Sequence, residues 1–263
     1  MNEKARLSED LKSVIGFFTL VPVKTHRYPT ARGLYFLSTL GLFLGLLAGL
    51  IFFAMSSYVG TVSAVIVYIV FIIAISGFHH LDSVLDVGDA LMARGDTDRM
   101  LRIMKDPATG AGGIGFFIAV YGILAAFALS IGAVQALSVL ALAEATSKLS
   151  FLISAYGRKP LGSGMGAHFI DSISGAGIPL LVANFAVPAI ISLFLGIDYL
   201  ITLVLAILIP AAITSYLEKR LSGINGDVIG FSGEISRMIY IFTFVVVSIL
   251  AFHIGILGLK INI

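Results

Sequence analysis

The chain has 263 residues, of which 58% are hydrophobic and only 12% charged. A soluble domain of this length needs far more charge on its surface, so we expect an integral membrane protein in contact with the lipid bilayer. The absence of cysteine excludes disulfides, zinc–thiolate sites and cysteine nucleophiles, and a net charge of +2 is too small to indicate nucleic acid as a partner. Seven prolines and no low-complexity linker favour one domain, 1–263.

The N-terminal segment, 1–32, is predicted to lie at the membrane surface or to re-enter the bilayer. Its first residues mix both charge signs and no small-residue cleavage site follows, so we expect no cleavable signal. The apolar run VIGFFTLVPV at 14–23 is too short to cross the bilayer as a helix. An arrangement with eight spans, in which this run is inserted, ranks second.

Seven longer apolar runs follow, each near the length that a helix needs to cross about 30 Å of hydrocarbon. They predict an all-α polytopic bundle of about seven transmembrane helices. The predicted spans are 34–55, 60–78, 113–131, 134–156, 176–196, 199–217 and 238–258.

The basic residues predict the orientation. Fifteen of the 17 lie in the N-terminal segment or in the loops after the second, fourth and sixth spans, while Lys148 lies in a span and Lys260 on the other side. By the positive-inside rule, the N-terminus is cytoplasmic and the C-terminus is outside. Thirteen of the 15 acidic residues lie on the same side, so we expect a multi-pass protein of the cell membrane with its chemistry on the cytoplasmic face.

Three aspartates, Asp82, Asp86 and Asp89, follow the second predicted span. At about 100° per residue, a helix places these three carboxylates within an arc of roughly 60°. Such a group repels itself unless a cation lies between its members, and Mg²⁺ is held by carboxylate oxygens that it shares with substrate phosphates. The alternative is a solvated juxtamembrane helix, which gives no reason for three acids on one face.

The rest of this loop supplies groups suited to binding a phosphate. Arg102 and Lys105 offer positive charge. Pro107 is expected to end the helix, and the glycine-rich run that includes Gly110 allows the backbone to approach a ligand closely. We therefore predict that Arg102, Lys105 and Gly110 bind substrate.

The loop resembles the signature of a known family. GFHHLDSVLDVGDAL at 77–91 and IMKDPATGAGG at 103–113 are similar to the GGLHLDGLADTADGL and IMKDSRIGAFG runs of the cobalamin synthase, or adenosylcobinamide-GDP ribazoletransferase, family. Ala90 stands where the family has glycine. The agreeing positions are His80, Leu81, Asp82, Asp86, Asp89 and the IMKD at 103–106.

Two more segments resemble the same family. GFFTLVPV at 16–23 is similar to its FxTRxPV motif, with Leu20 where arginine is usual. SGINGDVIGFSGEISR at 222–237 is similar to GGxTGDxLGAxxExxE, with Asn225 in place of threonine and Arg237 in place of the last acid. The matching positions there are Gly223, Gly226, Asp227, Gly230 and Glu234.

The resemblance implies that the adenosylcobinamide phosphate group is transferred from adenosylcobinamide-GDP to alpha-ribazole or its 5′-phosphate, with release of GMP. Such a reaction requires metal ions, cations and an oriented hydroxyl. The implied roles are Mg²⁺ binding by Asp82, Asp86 and Asp89, and metal binding or general base catalysis by Asp227 and Glu234. His80, which matches the family motif, is predicted to orient a carboxylate or donate to phosphate, and the alternative is a histidine that marks the membrane interface. Asn225 is placed with the substrate-binding residues.

Two further groups of charges have open interpretations. The glycine-rich loop 156–171, with Arg158 and Lys159, loosely resembles a basic loop of the family and suits either a phosphate nest that binds substrate or a plain connector. Glu144 and Lys148, four residues apart in the fourth predicted span, are expected to pair along one helix face. Charges inside the membrane indicate function by default, but a structural pair is an equal alternative.

Two other functions compete. Residues 86–94, DVGDALMAR, resemble the start of the DxxDGxxAR motif of CDP-alcohol phosphotransferases, which make lipid head groups, but the later glycine and aspartate pair are missing. A transporter would need charges near several span midpoints and internal repeats, and only Glu144 and Lys148 fit. The sequence leaves open the lower base, the corrin contacts, the number of Mg²⁺ ions and whether the chain forms a homo-oligomer.

Overall fold

The computed structural model describes residues 3–24, 28–93 and 95–256, and no β-strand occurs within these ranges. The all-α prediction is therefore confirmed. Arg27, Arg94 and Lys260, which contributed to the predicted orientation, lie outside the described residues. The helices are α1 (Glu3–Phe18), α2 (Ala31–Leu34), α3 (Leu37–Tyr58), α4 (Thr61–Ile75), α5 (His79–Met92), α6 (Thr97–Ile103), α7 (Ala111–Ala128), α8 (Gln135–Ala155), α9 (Met165–Ala176), α10 (Ile178–Leu195), α11 (Ile197–Leu221) and α12 (Gly226–Ile256).

Six of these helices are long and apolar enough to cross a membrane. They are α3, α7, α8, α10, α11 and α12. The predicted second span, 60–78, forms α4 instead, which has 15 residues, and α5 follows it at a bend of 93°. Counting α4 and α5 as one bent span gives seven. The protein is therefore a multi-pass helical membrane protein, with six or seven candidate spans among the residues that the structure describes.

Helix α8 forms the centre of the bundle, and α3 packs closely along it. Three glycines of α3, Gly41, Gly45 and Gly49, follow each other at four-residue intervals and face the α8 backbone. A Cβ at Gly41 would lie 2.6 Å from the Glu144 carbonyl oxygen, and one at Gly49 would lie 2.9 Å from the Ala136 carbonyl oxygen. Small residues at such intervals let two transmembrane helices approach backbone to backbone.

We expect Gly41→Leu to destabilise the bundle, because the new side chain has no space between α3 and α8. Overpacking of a well-packed interior typically costs about 1–3 kcal/mol. Gly122→Leu on α7 is the matched control, since no atom lies within 4 Å of a Cβ at that position. Thermal loss of helical circular dichroism in detergent would measure both. Equal melting temperatures for the two variants would contradict the packing proposed for α3 and α8.

A sharp break separates α4 from α5. Gly77 and Phe78 both have left-handed backbone conformations, with φ of 68° and 64°, which is uncommon for a phenylalanine. The Leu20 N–H, in the segment after α1, donates to the carbonyl of Ile75 at the end of α4 (2.8 Å). The break redirects the chain so that α5 packs against both α7 and α12.

The segment that contains α1 packs onto this same region. Phe18, at the end of α1, is only 4% exposed, and its ring stacks on that of Phe151 from α8 (centroids 5.8 Å apart). The Thr30 hydroxyl donates to the Asp10 carboxylate (2.8 Å), which fastens α1 to the start of α2. This N-terminal segment therefore helps to build the bundle around the break between α4 and α5.

Candidate active site

Helices α5 and α12 bring four carboxylates together, which we name the aspartate cluster: Asp82, Asp86, Asp89 and Asp227. Within the bent pair, α4 is the apolar part, while α5 carries three aspartates in 14 residues and turns 93° away from α4, so α5 lies outside the membrane-spanning segments. Partial burial, and then the charges of the other three members, raise the pKa of the Asp86 carboxyl to about 7. The negative charges of the cluster therefore repel one another, and nearby positive charges do not cancel this repulsion at Asp86.

Asp89 also holds the start of α7. Its two carboxylate oxygens accept hydrogen bonds from the Gly110 N–H (2.6 Å) and the Gly113 N–H (2.8 Å). Helix α7 begins at Ala111, so these N–H groups belong to the helix end that lacks partners within the helix. The Gly110 N–H is thus directed at Asp89, and Asp89 connects α5 to α7.

Asn225 orients Asp227. Its Nδ2 donates to Asp227 Oδ2 (2.7 Å), while its Oδ1 accepts from the Val228 N–H (3.1 Å). Since α12 begins at Gly226, Asn225 is the N-cap of that helix, a position that asparagine and threonine both favour. The substitution of asparagine for the family's threonine therefore keeps the cap. Asn225 was predicted to bind substrate, and the structure uses its amide to hold Asp227.

The loop before α12 is bound to the glycine-rich loop predicted at 156–171, of which the part from Met165 onward is α9 in the structure. The Ile224 N–H donates to the Lys159 carbonyl (2.8 Å), and the Leu161 N–H donates to the Ile224 carbonyl (2.7 Å). Arg158 forms an ion pair with Glu218 of α11 (2.5 Å). These contacts give Arg158 and the Lys159 backbone a structural role as a connector, while the Lys159 side chain is exposed.

A cavity of about 400 Å³ opens beside the aspartate cluster, between α1, α5, α8, α9 and α12. Three predicted catalytic residues, Asp82, Asp227 and His80, meet at its wall. Neither His79 nor α9 is predicted for this site from the sequence, because 156–171 is predicted to be a loop, whereas the resemblance of GFFTLVPV at 16–23 to a family motif is a sequence signal for Phe17 and Phe18 of α1. The cavity wall also includes the side chains of His79, Phe17, Phe18, Phe151, Met165 and Phe169.

His80 makes no hydrogen bond to a carboxylate in this structure. Its Nε2 is buried and has no partner, and its ring lies against that of Phe151 (centroids 4.8 Å apart). Buried polar atoms in proteins are nearly always hydrogen-bonded, so an orphaned nitrogen on a cavity wall is suited to contact a ligand.

Glu234, predicted as a metal ligand or general base, does not line the cavity. Its side chain is 2% exposed and forms an ion pair with Arg237, and the Tyr121 hydroxyl donates to its Oε2 (3.0 Å). Arg237 also forms an ion pair with Glu144, through Nε and through Nη2 (2.9 Å to Oε2). The three charges form a buried group inside the bundle, which we name the Glu–Arg–Glu group.

The prediction that Glu144 pairs with Lys148 is wrong, because Glu144 forms its ion pair with Arg237. The Lys148 Nζ lies over the Phe151 ring, 4.7 Å from its centroid, in a cation–π contact. The sequence favoured the pair because four residues separate the two charges on one helix, and it could not show that Arg237 of α12 approaches Glu144.

Arg102 and Lys105 lie away from the cavity. Arg102 is exposed in the last turn of α6 and Lys105 is exposed just after it. Neither belongs to the cavity wall. Their predicted contact with substrate phosphate would need a ligand that extends out of the cavity toward α6.

No three histidine, aspartate or glutamate side chains in the described ranges are already arranged to hold one metal ion. The charge of the aspartate cluster nevertheless suits a divalent cation, since the Asp86 carboxyl lies beside three other carboxylates. Asp82, Asp86 and Asp227 retain acceptor capacity for such an ion, while both oxygens of Asp89 already accept backbone N–H groups.

The chain is similar to curated proteins named adenosylcobinamide-GDP ribazoletransferase. It is 34% identical to that of Thermoplasma volcanium over 248 residues, covering 90% of each chain. It is 33% identical to that of Picrophilus torridus, with 88% of this chain and 95% of the relative covered. It is 29% identical to that of Methanococcoides burtonii, with 95% and 96% covered.

No solved structure matches the chain. Residues 10–245 match the family described as cobalamin-5-phosphate synthase, a range that runs from α1 into α12 and includes the aspartate cluster and the whole cavity wall. The chain therefore belongs to the cobalamin-5-phosphate synthase family.

Proposed function

We propose that the protein assembles the nucleotide loop of cobalamin, by transferring the adenosylcobinamide phosphate group from adenosylcobinamide-GDP to alpha-ribazole or its 5′-phosphate. The relatives that cover most of the chain bear the name of this reaction. The observation that carries the proposal is that Asp82 and Asp227, from two separate family motifs, meet at one cavity.

The reaction exchanges one oxygen on phosphorus for another. A ribose hydroxyl of the acceptor attacks the phosphorus atom on the cobinamide side of the diphosphate, the new O–P bond forms, and the bond to the GMP oxygen breaks. GMP leaves with the electron pair, and the hydroxyl proton passes to a carboxylate. Asp227 is suited to accept this proton, because it lines the cavity and Asn225 holds its carboxylate through Oδ2.

Mg²⁺ is the cofactor that the aspartate cluster fits. Asp82 and Asp86 would hold it together with the substrate phosphates, and the bound ion would neutralise charge on the diphosphate. His80 Nε2, which is buried and without a partner, is suited to donate to a phosphate oxygen from the cavity wall. Removal of divalent ions with EDTA is expected to abolish turnover and added Mg²⁺ to restore it. Activity that is unchanged in EDTA would contradict this assignment.

We place the protein in the cell membrane with the cavity on the cytoplasmic side. Fourteen of the 17 basic residues of the sequence precede α3, lie between α4 and α7, follow α8 or stand in the last turn of α11, which favours a cytoplasmic location for these parts of the chain. The predicted loop position of Arg237 is wrong, because Arg237 lies inside α12. The diphosphate substrate and the acceptor then reach the cavity from the cytosol.

The decisive experiment follows GMP release and corrinoid product formation by purified protein in detergent. We expect both products from adenosylcobinamide-GDP with alpha-ribazole or its 5′-phosphate, and neither when the acceptor is omitted. A CDP-alcohol with a lipid acceptor serves as the comparison. Turnover of the lipid substrates without corrinoid turnover would overturn the proposal.

Asn225 provides a test of how Asp227 is positioned. We expect Asn225→Ala to lose both the helix cap, worth about 0.5–2 kcal/mol, and the hydrogen bond to Asp227, and therefore to lower turnover. Asn225→Thr replaces the capping amide oxygen with a hydroxyl that can also cap the helix, and it should retain more stability than Asn225→Ala. Melting temperature and kcat are measured for both variants. Equal kcat for Asn225→Ala and the unmodified protein would show that Asp227 does not depend on Asn225.

A further inference from the structure

The cavity has two walls of different chemistry. One wall carries Asp82, Asp227 and the two histidines, and the reaction proposed above uses it. The other wall, which we name the aromatic wall, has no part in phosphate chemistry. It consists of Phe17, Phe18, Phe151, Met165 and Phe169, contributed by α1, α8 and α9.

The rings of the aromatic wall form a packed platform. Phe17 is stacked with Phe169 (centroids 6.3 Å apart, planes at 14°), and Phe18 is stacked with Phe151 (5.8 Å, 16°). Phe18 and Phe169 meet edge to face at 5.8 Å, so the two stacks join. Phe18, Phe151 and Phe169 are all under 8% exposed, which fixes the platform in place.

Two members of the aromatic wall remain available to a ligand. Met165 is 59% exposed at the start of α9, and Phe17 is half-buried at the end of α1. A phenyl ring prefers a flat partner, and the polarizable methionine sulfur makes favourable contacts with aromatic rings. A flat aromatic group would therefore cover apolar surface that is otherwise left open in the cavity.

We propose that the aromatic wall binds the base of the acceptor nucleoside, a flat benzimidazole, and so directs its ribose toward Asp82 and Asp227. This inference rests on the proposed function. The cavity volume of about 400 Å³ is near the lower end of the roughly 300–1,000 Å³ of small-molecule pockets. It suits one nucleoside, whereas a corrin ring with its side chains and adenosyl ligand is several times larger and must lie outside.

The guanine of the GDP group is the other flat base in the reaction, and the aromatic wall suits it less well. The edge of guanine carries several donors and acceptors, and the aromatic wall itself offers no polar side chain to replace the water they would lose there. An alkylated benzimidazole has apolar edges and a single ring nitrogen as acceptor. The wall consists of four phenylalanines and a methionine, so it favours the benzimidazole.

Steady-state kinetics with each substrate varied in turn would test this assignment. We expect Met165→Ala and Phe17→Leu to raise the KM for alpha-ribazole by about 2- to 10-fold, as lost aromatic contacts predict, with kcat and the KM for adenosylcobinamide-GDP unchanged. Met92→Ala is the matched control, because Met92 is also 59% exposed but lies outside the cavity wall. This control should leave all three constants unchanged.

Equilibrium dialysis of labelled alpha-ribazole, without any corrinoid, separates this inference from the proposed function. Weaker binding by Phe17→Leu than by Met92→Ala supports the aromatic wall, and it does so even if the reaction itself is different. The assignment would be overturned if the Met165 and Phe17 variants raised only the KM for adenosylcobinamide-GDP. It would also be overturned if GMP competed with alpha-ribazole for the same binding site. Complete absence of turnover by unmodified protein that still binds alpha-ribazole would instead reject the proposed function.

Discussion

Asp82→Asn is expected to lower kcat by roughly 100-fold or more, the range that one acid–base or electrostatic group contributes to catalysis. Asp82 is the member of the aspartate cluster that also lines the cavity from α5, and its charge acts on both Asp86 and Asp227. Asparagine keeps the size of the side chain but removes the negative charge that a cation needs. The variant should therefore also require more Mg²⁺ for half-maximal activity.

Asp98→Asn is the control for this loss of charge. Asp98 is exposed in the first turn of α6 and lies outside the cavity wall, so the same chemical change should leave kcat and the Mg²⁺ requirement unchanged. Circular dichroism would establish that both variants keep their helices. Near-normal turnover by Asp82→Asn, or an equal loss in both variants, would remove Asp82 from the proposed chemistry.

Sequence reasoning located the aspartate cluster because local spacing determines it. Asp82, Asp86 and Asp89 share a face through helical periodicity alone, and the resemblance to a family added Asp227. Spacing could not reveal that Asp89 accepts hydrogen bonds from the N-terminus of α7, since that contact joins residues 21 and 24 positions apart. The same limit applied to the aromatic wall, whose rings come from three helices.

The span boundaries likewise include some that hydropathy predicts and some that depend on contacts between helices. The apolar runs predicted five spans to within a few residues, because hydropathy alone determines which segments are long enough for the bilayer. These spans are α3, α7, α8, α10 and α11. The last span was predicted to start at 238, yet α12 begins at Gly226. The polar residues Asp227, Glu234 and Arg237 made this stretch resemble a loop, and the sequence could not show that Arg237 pairs with Glu144 of α8 and with Glu234 of its own helix inside the bundle. The 93° break after α4 was likewise hidden, since left-handed Phe78 has no sequence signal.

Arg237→Met is expected to destabilise the protein by about 3–5 kcal/mol, because it leaves Glu144 and Glu234 buried without their cation. The chain has no tryptophan, so unfolding is followed by circular dichroism in detergent. Lys219→Met removes an exposed charge from α11 and should change stability little. Combining Arg237→Met with Glu144→Gln and Glu234→Gln should recover much of the loss, since no unpaired charge then remains buried.

Contacts within the Glu–Arg–Glu group also bear on the role of Glu234. The family motif suggests that Glu234 takes part in catalysis, but the structure places it outside the cavity wall. If Glu234 acts by stabilising the bundle, Glu234→Gln should lower the melting temperature while the folded fraction keeps its kcat and KM. If Glu234 were a general base or metal ligand, kcat would fall as steeply as in Asp82→Asn. Buried contacts with Arg237 and Tyr121 favour the first outcome, because they occupy the carboxylate of Glu234 inside the bundle.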